Sequence, residues 1–235
     1  MNVLKFLWFV TRLTLGSFWI YFKGILHLYW KPKFEVIQGV GHAWGKFVLD
    51  ISRVNLHIQG EENLKKIPAI FITNHQSTLD IFILCALAPY KALPVAKKTL
   101  KYIPFVGTFM KKVGVVFIDR FQPDKALQGM LQAKKLAQSG ISIIMAPEGT
   151  RSRTGELMPF KKGAFYLALE TGYPIIPIVI RGAFELYPRD AWMPKPGTVY
   201  VEIGEPISTQ NWKREPLHTH IQSVRDWYLE KLKSI

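Results

Sequence analysis

Cysteine is nearly absent from this sequence of 235 residues, which contains only Cys85. A single cysteine excludes any disulfide within the chain and fits a reducing compartment. Cys85 lies in the apolar segment 81–87, where we expect a small buried side chain rather than a nucleophile. Internal repeats, low-complexity tracts and long linkers are also lacking, so one globular domain with a short appendage is expected.

Acidic residues are the second shortage. The chain has 17 Asp and Glu against 31 Lys and Arg, a formal net charge of +14. Such a surface attracts anions, whether nucleic acid, anionic lipid headgroups or phosphorylated substrates. Segment 91–112 is a local basic patch, with six lysines and no acidic residue before Asp119. It shows no clear stacking partners or recognition helix, so no nucleic-acid partner is expected. A solvated lysine face is the plain alternative.

Long uncharged apolar runs are missing from the N-terminal region. Between residues 3 and 30 the longest such run is 13–22, well short of the ~20 residues that a membrane-spanning helix needs. No small-residue cleavage site follows it, which argues against a removable signal peptide. A helical projection puts Lys5, Arg12 and Lys23 on one side. The other side is apolar and carries Leu4, Leu7, Leu15, Phe18, Phe22 and Leu26.

This pattern predicts an amphipathic helix that lies in one membrane leaflet and ends near Lys31 and Pro32. Trp8, Trp19 and Trp30 favour the headgroup boundary. Segment 36–51 is apolar as well and predicts a second helix that returns antiparallel to the first. We therefore expect residues 1–50 to form a two-helix membrane anchor and residues 51–235 to form the main domain. A single tilted span, or two helices that simply pack on the domain, remain alternatives.

Strand and helix patterns alternate in the rest of the chain. Apolar, β-branched runs predict strands at 53–59, 69–73, 113–118, 142–146, 175–180 and 199–203. Helical periodicity predicts helices at 79–87, 126–138, 164–170 and 218–232. Strands that alternate with helices predict an α/β domain, with a mostly parallel mixed sheet flanked by helices.

Two polar residues follow the second predicted strand at a telling separation. His75 and Asp80 are five residues apart, so they would lie about 140° apart on a regular helix and could not pair. If His75 stands in the turn and a helix begins near Ser77, however, Asp80 can point back to the imidazole. A carboxylate on one ring nitrogen makes the other a better general base, which a hydroxyl group needs near neutral pH. Alternatively, Ser77 and Asp80 form a capping box.

A second polar segment, 147–151, follows the predicted strand 142–146. Gly149 lets backbone N–H groups approach an anion closely, and Arg151 offers paired donors that suit a phosphate. Arg153 is a further candidate donor. An ordinary glycine turn with solvated arginines is the alternative. His218 and His220 lack other ligands nearby, so no metal site is expected there.

Together these segments resemble the motif blocks of the glycerolipid acyltransferases. Residues 74–80 are similar to the family's NHX4D block, and residues 147–151 read PEGTR like its third block. Residues 114–120 resemble the second block, which ends in arginine, and 176–180 the fourth, a strand with an early proline. The basic segment 95–107 is similar as well. One departure is Ala146, where the family commonly has an aromatic residue.

The resemblance implies roles for individual residues. His75 would be the catalytic base, and Asp80 would orient it. Contacts to the glycerophosphate would come from Lys97, Arg120, Glu148, Gly149 and Arg151.

The reaction that this resemblance implies is acyl transfer from acyl-CoA or acyl carrier protein to the sn-2 hydroxyl of lysophosphatidic acid, giving phosphatidic acid. No metal, cofactor or acyl-enzyme is expected, because a thioester is already activated. The short chain with a basic anchor favours the cytoplasmic face of a bacterial inner membrane. Another lysophospholipid or hydroxyl acceptor is an alternative, and a non-catalytic basic membrane-binding protein is a further one.

Overall fold

The computed structural model describes residues 3–119 and 122–233. Its helices are α1 (Val3–His27), α2 (Lys33–Ser52), α3 (Leu79–Leu87), α4 (Val106–Val113), α5 (Pro123–Gln138), α6 (Gly163–Thr171), α7 (Ala183–Leu186) and α8 (Leu217–Lys233). Its strands are β1 (Val54–Gln59), β2 (Ile70–Thr73), β3 (Ala92–Lys97), β4 (Val116–Ile118), β5 (Ser142–Met145), β6 (Ile175–Arg181) and β7 (Gly197–Ile203). Short 3-10 helices span Glu61–Lys65 and Lys98–Tyr102.

The strands form one seven-stranded sheet in the order β1-β7-β6-β2-β5-β3-β4. Neighbours from β6 to β4 are parallel, whereas β7 is antiparallel to β6 and parallel to β1. The predicted α/β fold with a mostly parallel mixed sheet is therefore confirmed. β2 is buried along its whole length, as expected for a strand covered by helices on both faces. Because β2, β5 and β6 run parallel side by side, the segments that follow them meet at one edge.

The region between residues 88 and 118 differs most from the prediction. β3 was not predicted, because Pro94 inside a short run argues against a strand, yet Pro94 lies opposite Ile144 of β5. The strand predicted at 113–118 is wrong at its start, since Val113 ends helix α4. Gly114, at φ 82°, caps that helix in the left-handed conformation, and β4 begins only after this turn.

The two N-terminal helices pack against each other, as the predicted hairpin requires. The first helix ends at His27, four residues before the predicted stop at Lys31. α2 packs closely on α3 at Gly45, where an added Cβ would lie 2.4 Å from the carbonyl oxygen of Phe82. Val48 and Leu49 of α2 belong to the same core cluster as β2 and α3. α2 thus supports the helix that carries Asp80.

Helix α1 turns its apolar side away from the protein. Only Phe9, Tyr21 and Gly24 are buried among its residues. Its large exposed apolar side chains are Val3, Leu4, Leu7, Trp8, Val10, Leu15, Trp19, Phe22 and Leu26. Over residues 3–119 and 122–233, α1 alone is long and apolar enough to cross a membrane, by length and composition. An apolar helix exposed in this way indicates membrane association.

Candidate active site

The site begins where β2 ends, and Asn74 fixes the chain there. Its side-chain amide donates to the carbonyl oxygen of Ile180 at 2.8 Å and accepts the Ile180 N–H at 2.8 Å. Asn74 is fully buried, so this pair of bonds continues the β2–β6 pairing through a side chain. The turn that carries His75 is therefore held to the middle of the sheet.

His75 and Asp80 are in contact, as their spacing predicts. His75 Nδ1 lies 2.9 Å from Asp80 Oδ2. A buried carboxylate accepts hydrogen bonds, so Nδ1 carries the proton and Nε2 is left with its lone pair. The side chain of Asp80 is 1% exposed and that of His75 is 17% exposed. The imidazole therefore has one buried, oriented side and one side that a reactant can approach.

Asp80 also caps α3, so both interpretations of its position hold. Its Oδ2 accepts the backbone N–H groups of Gln76 and Ser77 at 2.9 Å each. The Ser77 hydroxyl accepts the N–H of Leu79 and donates to the carbonyl oxygen of Tyr187 at 2.7 Å. Because one oxygen receives the imidazole and two backbone donors, the carboxylate cannot rotate without breaking the cap.

Glu148 lies beneath this turn instead of facing outward. It is 2% exposed, and its oxygens accept the N–H of His75 at 2.5 Å and the N–H of Met158 at 2.9 Å. Burial raises its pKa from the ordinary 4.5 to about 7, although both backbone donors act to lower it. Since both carboxylate oxygens are used by backbone groups, Glu148 joins the two motif segments directly.

Three further hydrogen bonds hold the His75 turn, and sequence reasoning missed all of them. The carbonyl oxygen of His75 accepts the N–H of Ser152 at 2.9 Å. The Gln76 amide donates to the carbonyl oxygen of Gly155 at 2.5 Å and accepts from Asn74 at 2.7 Å. The signal available in the sequence was Gln76 itself, an amide that can both donate and accept, directly after His75. The loop after the PEGTR segment is thus part of the site.

Gly149 makes a tight turn, as its position in the sequence predicts. Its φ is 76°, and its N–H donates to the carbonyl oxygen of Ala146 at 3.0 Å. The end of the Lys161 side chain lies over this glycine, because an added Cβ would stand 3.0 Å from Lys161 Nζ. Lys161 was not predicted, although it begins a basic pair ahead of α6. It adds a cation beside the turn.

The cationic candidates are placed at different points of the same edge. Arg151 donates from Nη1 to the hydroxyl oxygen of Thr78, so it lies across the start of α3. Its charge also acts on Tyr187, whose pKa is nevertheless raised by burial. Lys97 is exposed at the carboxyl end of β3, opposite Ile118 of β4. Arg120 lies outside the described residues.

Several backbone N–H groups near the site are already used within the protein. Those of Gln76 and Ser77 donate to Asp80, and that of His75 donates to Glu148. Because the Gly149 N–H closes its own turn, none of these four is an open donor for an oxyanion. Cys85, by contrast, takes no part, since burial raises its pKa to about 12.

Comparison with known proteins gives consistent matches. The family model described as Acyltransferase matches residues 55–181. The 1-acyl-sn-glycerol-3-phosphate acyltransferase of Limnanthes douglasii is 36% identical over 193 residues, which cover 82% of this chain and 68% of the relative. The enzyme of the same name from Saccharomyces cerevisiae is 40% identical over 188 residues, covering 77% of this chain and 61% of the relative.

A solved structure extends the likeness to the whole chain. The crystal structure of the 1-acyl-sn-glycerophosphate acyltransferase PlsC from Thermotoga maritima matches with a TM-score of 0.82 and 26% identity. The match covers 100% of this chain and 97% of that one. The chain spans about two thirds of its plant and yeast relatives but nearly all of the Thermotoga maritima chain. Helices α1 and α2 lie within this match, because the match covers the whole of the present chain.

Proposed function

The chain belongs to the 1-acyl-sn-glycerol-3-phosphate acyltransferase family, and from this premise we propose that it acylates the sn-2 hydroxyl of lysophosphatidic acid to form phosphatidic acid. The observation that carries the proposal is the His75–Asp80 pair, 2.9 Å apart, with Arg151 bound across the same helix start. A base with an adjacent phosphate-binding cation suits a hydroxyl on an anionic acceptor.

The mechanism follows from the protonation state of the pair. Nε2 of His75 removes the proton of the acceptor hydroxyl while the hydroxyl oxygen attacks the carbonyl carbon of the thioester. Asp80 stabilises the imidazolium that forms. When the C–S bond breaks, the thiolate of the donor takes the proton from the imidazolium, and the neutral base is restored. These reaction steps need neither a metal nor an acyl-enzyme.

Phosphate binding is assigned to the side chains that carry positive charge. Arg151 presents a planar guanidinium, and Lys97 and Arg120 are expected to add further contacts. Lys161 is a candidate that the structure contributes, since its ammonium lies beside the Gly149 turn. Gly149 shapes this turn, and Glu148 positions His75 through the backbone. The family resemblance assigns Glu148 to the glycerophosphate as well, and we propose that its buried carboxylate supports that site indirectly, through the backbone N–H groups that it binds.

We propose that the N-terminal helices hold the site at a membrane. We assign residues 1–50 to the anchor, with α1 lying in one leaflet, and residues 51–235 to the catalytic domain. The exposed apolar side of α1 supports this arrangement. Lysolipid and product then stay in the leaflet that holds the enzyme. The expected location is the cytoplasmic face of a bacterial inner membrane.

Turnover with a panel of substrates tests the proposal. Purified protein in detergent micelles is incubated with a labelled acyl donor, either acyl-CoA or an acyl carrier protein thioester. The acceptor is lysophosphatidic acid or lysophosphatidylcholine. We expect labelled phosphatidic acid, and little product from the choline lipid, because Arg151 suits a phosphomonoester. A preference for lysophosphatidylcholine would favour another lysophospholipid as the acceptor. No product with any pair would leave a non-catalytic membrane-binding role.

A further inference from the structure

The segment 102–105, which leads from the end of the 3-10 helix Lys98–Tyr102 into α4, exposes large apolar side chains. Tyr102 is 68% exposed, Ile103 43% and Phe105 40%. Four consecutive residues, 102–105, are exposed in this way. Soluble surfaces rarely gather large apolar side chains at one corner, and those that do are typically docking sites.

The backbone of this loop is strained at its apolar tip. Phe105 has φ 60° and ψ −53°, and the N–H of Val106 donates to the carbonyl oxygen of Pro104 at 2.7 Å. This is a γ-turn with a bulky residue at positive φ, a conformation that costs free energy. The turn is followed by Gly107, where only a glycine fits, because an added Cβ would lie 2.3 Å from the carbonyl oxygen of Lys101. Strain of this kind tends to be kept where a segment has a function.

The loop continues the exposed apolar side of α1. The ring of Phe105 packs edge-on against Phe18, with centroids 4.6 Å apart. Phe18 in turn contacts the rings of Trp19 and Phe22, at 5.5 Å and 5.7 Å. Trp19 is 55% exposed and Phe22 37% exposed. The loop and the helix therefore present one apolar surface that is built from two distant parts of the chain.

Lysines surround this surface. Lys101 Nζ lies 4.8 Å from the ring centroid of Tyr102. Lys111 and Lys112 are exposed in the last turn of α4, and Lys112 lies over Tyr29. Apolar side chains bordered by cations match the boundary between acyl chains and anionic headgroups.

We propose that loop 102–105 is a second membrane-inserted element, which enters the headgroup region of an anionic bilayer beside α1. The proposal rests on the membrane location in the proposed function and deepens it. The lysines Lys101, Lys111 and Lys112 bind lipid phosphates around the inserted side chains. Since Lys97 precedes the loop by only five residues, the bilayer surface lies close to the expected phosphate site. Lysolipid therefore reaches the site from this corner.

The contact between Phe105 and α1 also determines how α1 lies in the bilayer. Phe18 is near the middle of α1, within about 5 Å of its midpoint at 1.5 Å per residue. If α1 crossed the bilayer, Phe105 and the neighbouring lysines would lie near the bilayer centre, where charges are costly. An in-plane α1 leaves Phe105 at the acyl boundary and the lysines among headgroups.

A fluorescent label tests the insertion directly. Cys85 is the only cysteine, so a Cys85→Ala background accepts one new cysteine at Ile103 for a nitrobenzoxadiazole label. The matched control carries the label at Leu131, which is 50% exposed on α5. On phosphatidylglycerol vesicles we expect a blue shift and stronger emission at position 103 and no change at position 131. Sedimentation with the vesicles verifies that both proteins are bound.

Charge removal provides the second readout. Replacing Lys101 and Lys111 with glutamine should weaken binding to phosphatidylglycerol vesicles about thirtyfold, from roughly 1 kcal/mol per lysine, with little effect on phosphatidylcholine vesicles. Aqueous emission at position 103 in vesicle-bound protein would overturn the proposal. A blue shift at position 103 on addition of acyl carrier protein, with none on addition of vesicles, would identify segment 102–105 as a protein-docking surface. This result would overturn the proposal too. Acyl transfer in detergent micelles is measured separately. A failure of the proposed acyltransferase function is thereby distinguished from a failure of segment 102–105 to insert.

Discussion

Replacing Asp80 with asparagine removes one charge and almost no volume from the site. Three N–H groups converge on Asp80 Oδ2, those of the His75 ring, Gln76 and Ser77, each at 2.9 Å. Asparagine keeps an acceptor for the cap but no longer provides a counterion for the imidazolium. The comparable change in a serine protease triad lowers kcat about 10⁴-fold, or about 5.5 kcal/mol at 1.36 kcal/mol per tenfold. We expect kcat to fall by about 10³- to 10⁴-fold.

The measurement is steady-state transfer of a labelled acyl group to lysophosphatidic acid in detergent. KM for the acceptor should change by less than about threefold, because the side chain of Asp80 is 1% exposed and acts through His75. Asp226→Asn, on the exposed side of α8, should leave kcat unchanged. The variant with both His75→Ala and Asp80→Asn should be no slower than His75→Ala alone, since the two residues act as a unit. A loss below tenfold, or losses that multiply, would refute the reasoning.

Three other variants test the rest of the site. Arg151→Ala should raise KM for lysophosphatidic acid about 10- to 100-fold, the value of a charged hydrogen bond to phosphate; a fall in kcat alone would contradict its assignment. Burial raises the pKa of Glu148 to about 7, so its stability contribution is complete below pH 4.5 and is lost by about pH 7, at a cost of about 3 kcal/mol. Glu148→Gln should abolish this slope in denaturant unfolding measured from pH 4.5 to 8, whereas an unchanged slope would count against the buried carboxyl. Gln76→Ala should lower the free energy of unfolding by about 1–3 kcal/mol, because Asn74 and Gly155 lose their partner; equal stability would show that this bridge is dispensable.

The parts of the site that are close in sequence could be predicted without a structure. His75 and Asp80 both follow β2 within one turn, so their spacing and the strand before them determine the contact. The runs that form β2 and β5 are short, apolar and β-branched, which distinguished them from helices. Their parallel pairing then brings the two motif segments to one edge, as an α/β fold requires.

Contacts made across the fold could not be predicted in the same way. The role of Glu148 depends on which backbone N–H groups reach it from residues 75 and 158, and sequence spacing carries no information about that path. The approach of Lys161 to Gly149 has the same origin. Pro94 made β3 hard to recognise in the sequence. A proline lacks the N–H for the sheet pairing and is tolerated only in a particular strand register, which the sequence does not reveal. The uncharged run 13–22 is shorter than the length of α1 that could cross a membrane, because Arg12 and Lys23 interrupt the run in the sequence but are exposed on the helix surface.

Transfer by the parent protein beside His75→Ala tests the central claim most directly. Both proteins are purified in detergent and given labelled acyl-CoA, or acyl carrier protein thioester, with lysophosphatidic acid, and phosphatidic acid is followed over time. We predict product from the parent and a loss of at least about 10³-fold in the variant, no smaller than the loss for Asp80→Asn, with equal binding of both proteins to phosphatidylglycerol vesicles. Comparable rates of phosphatidic acid formation in the two proteins would contradict the assignment of His75 as the base.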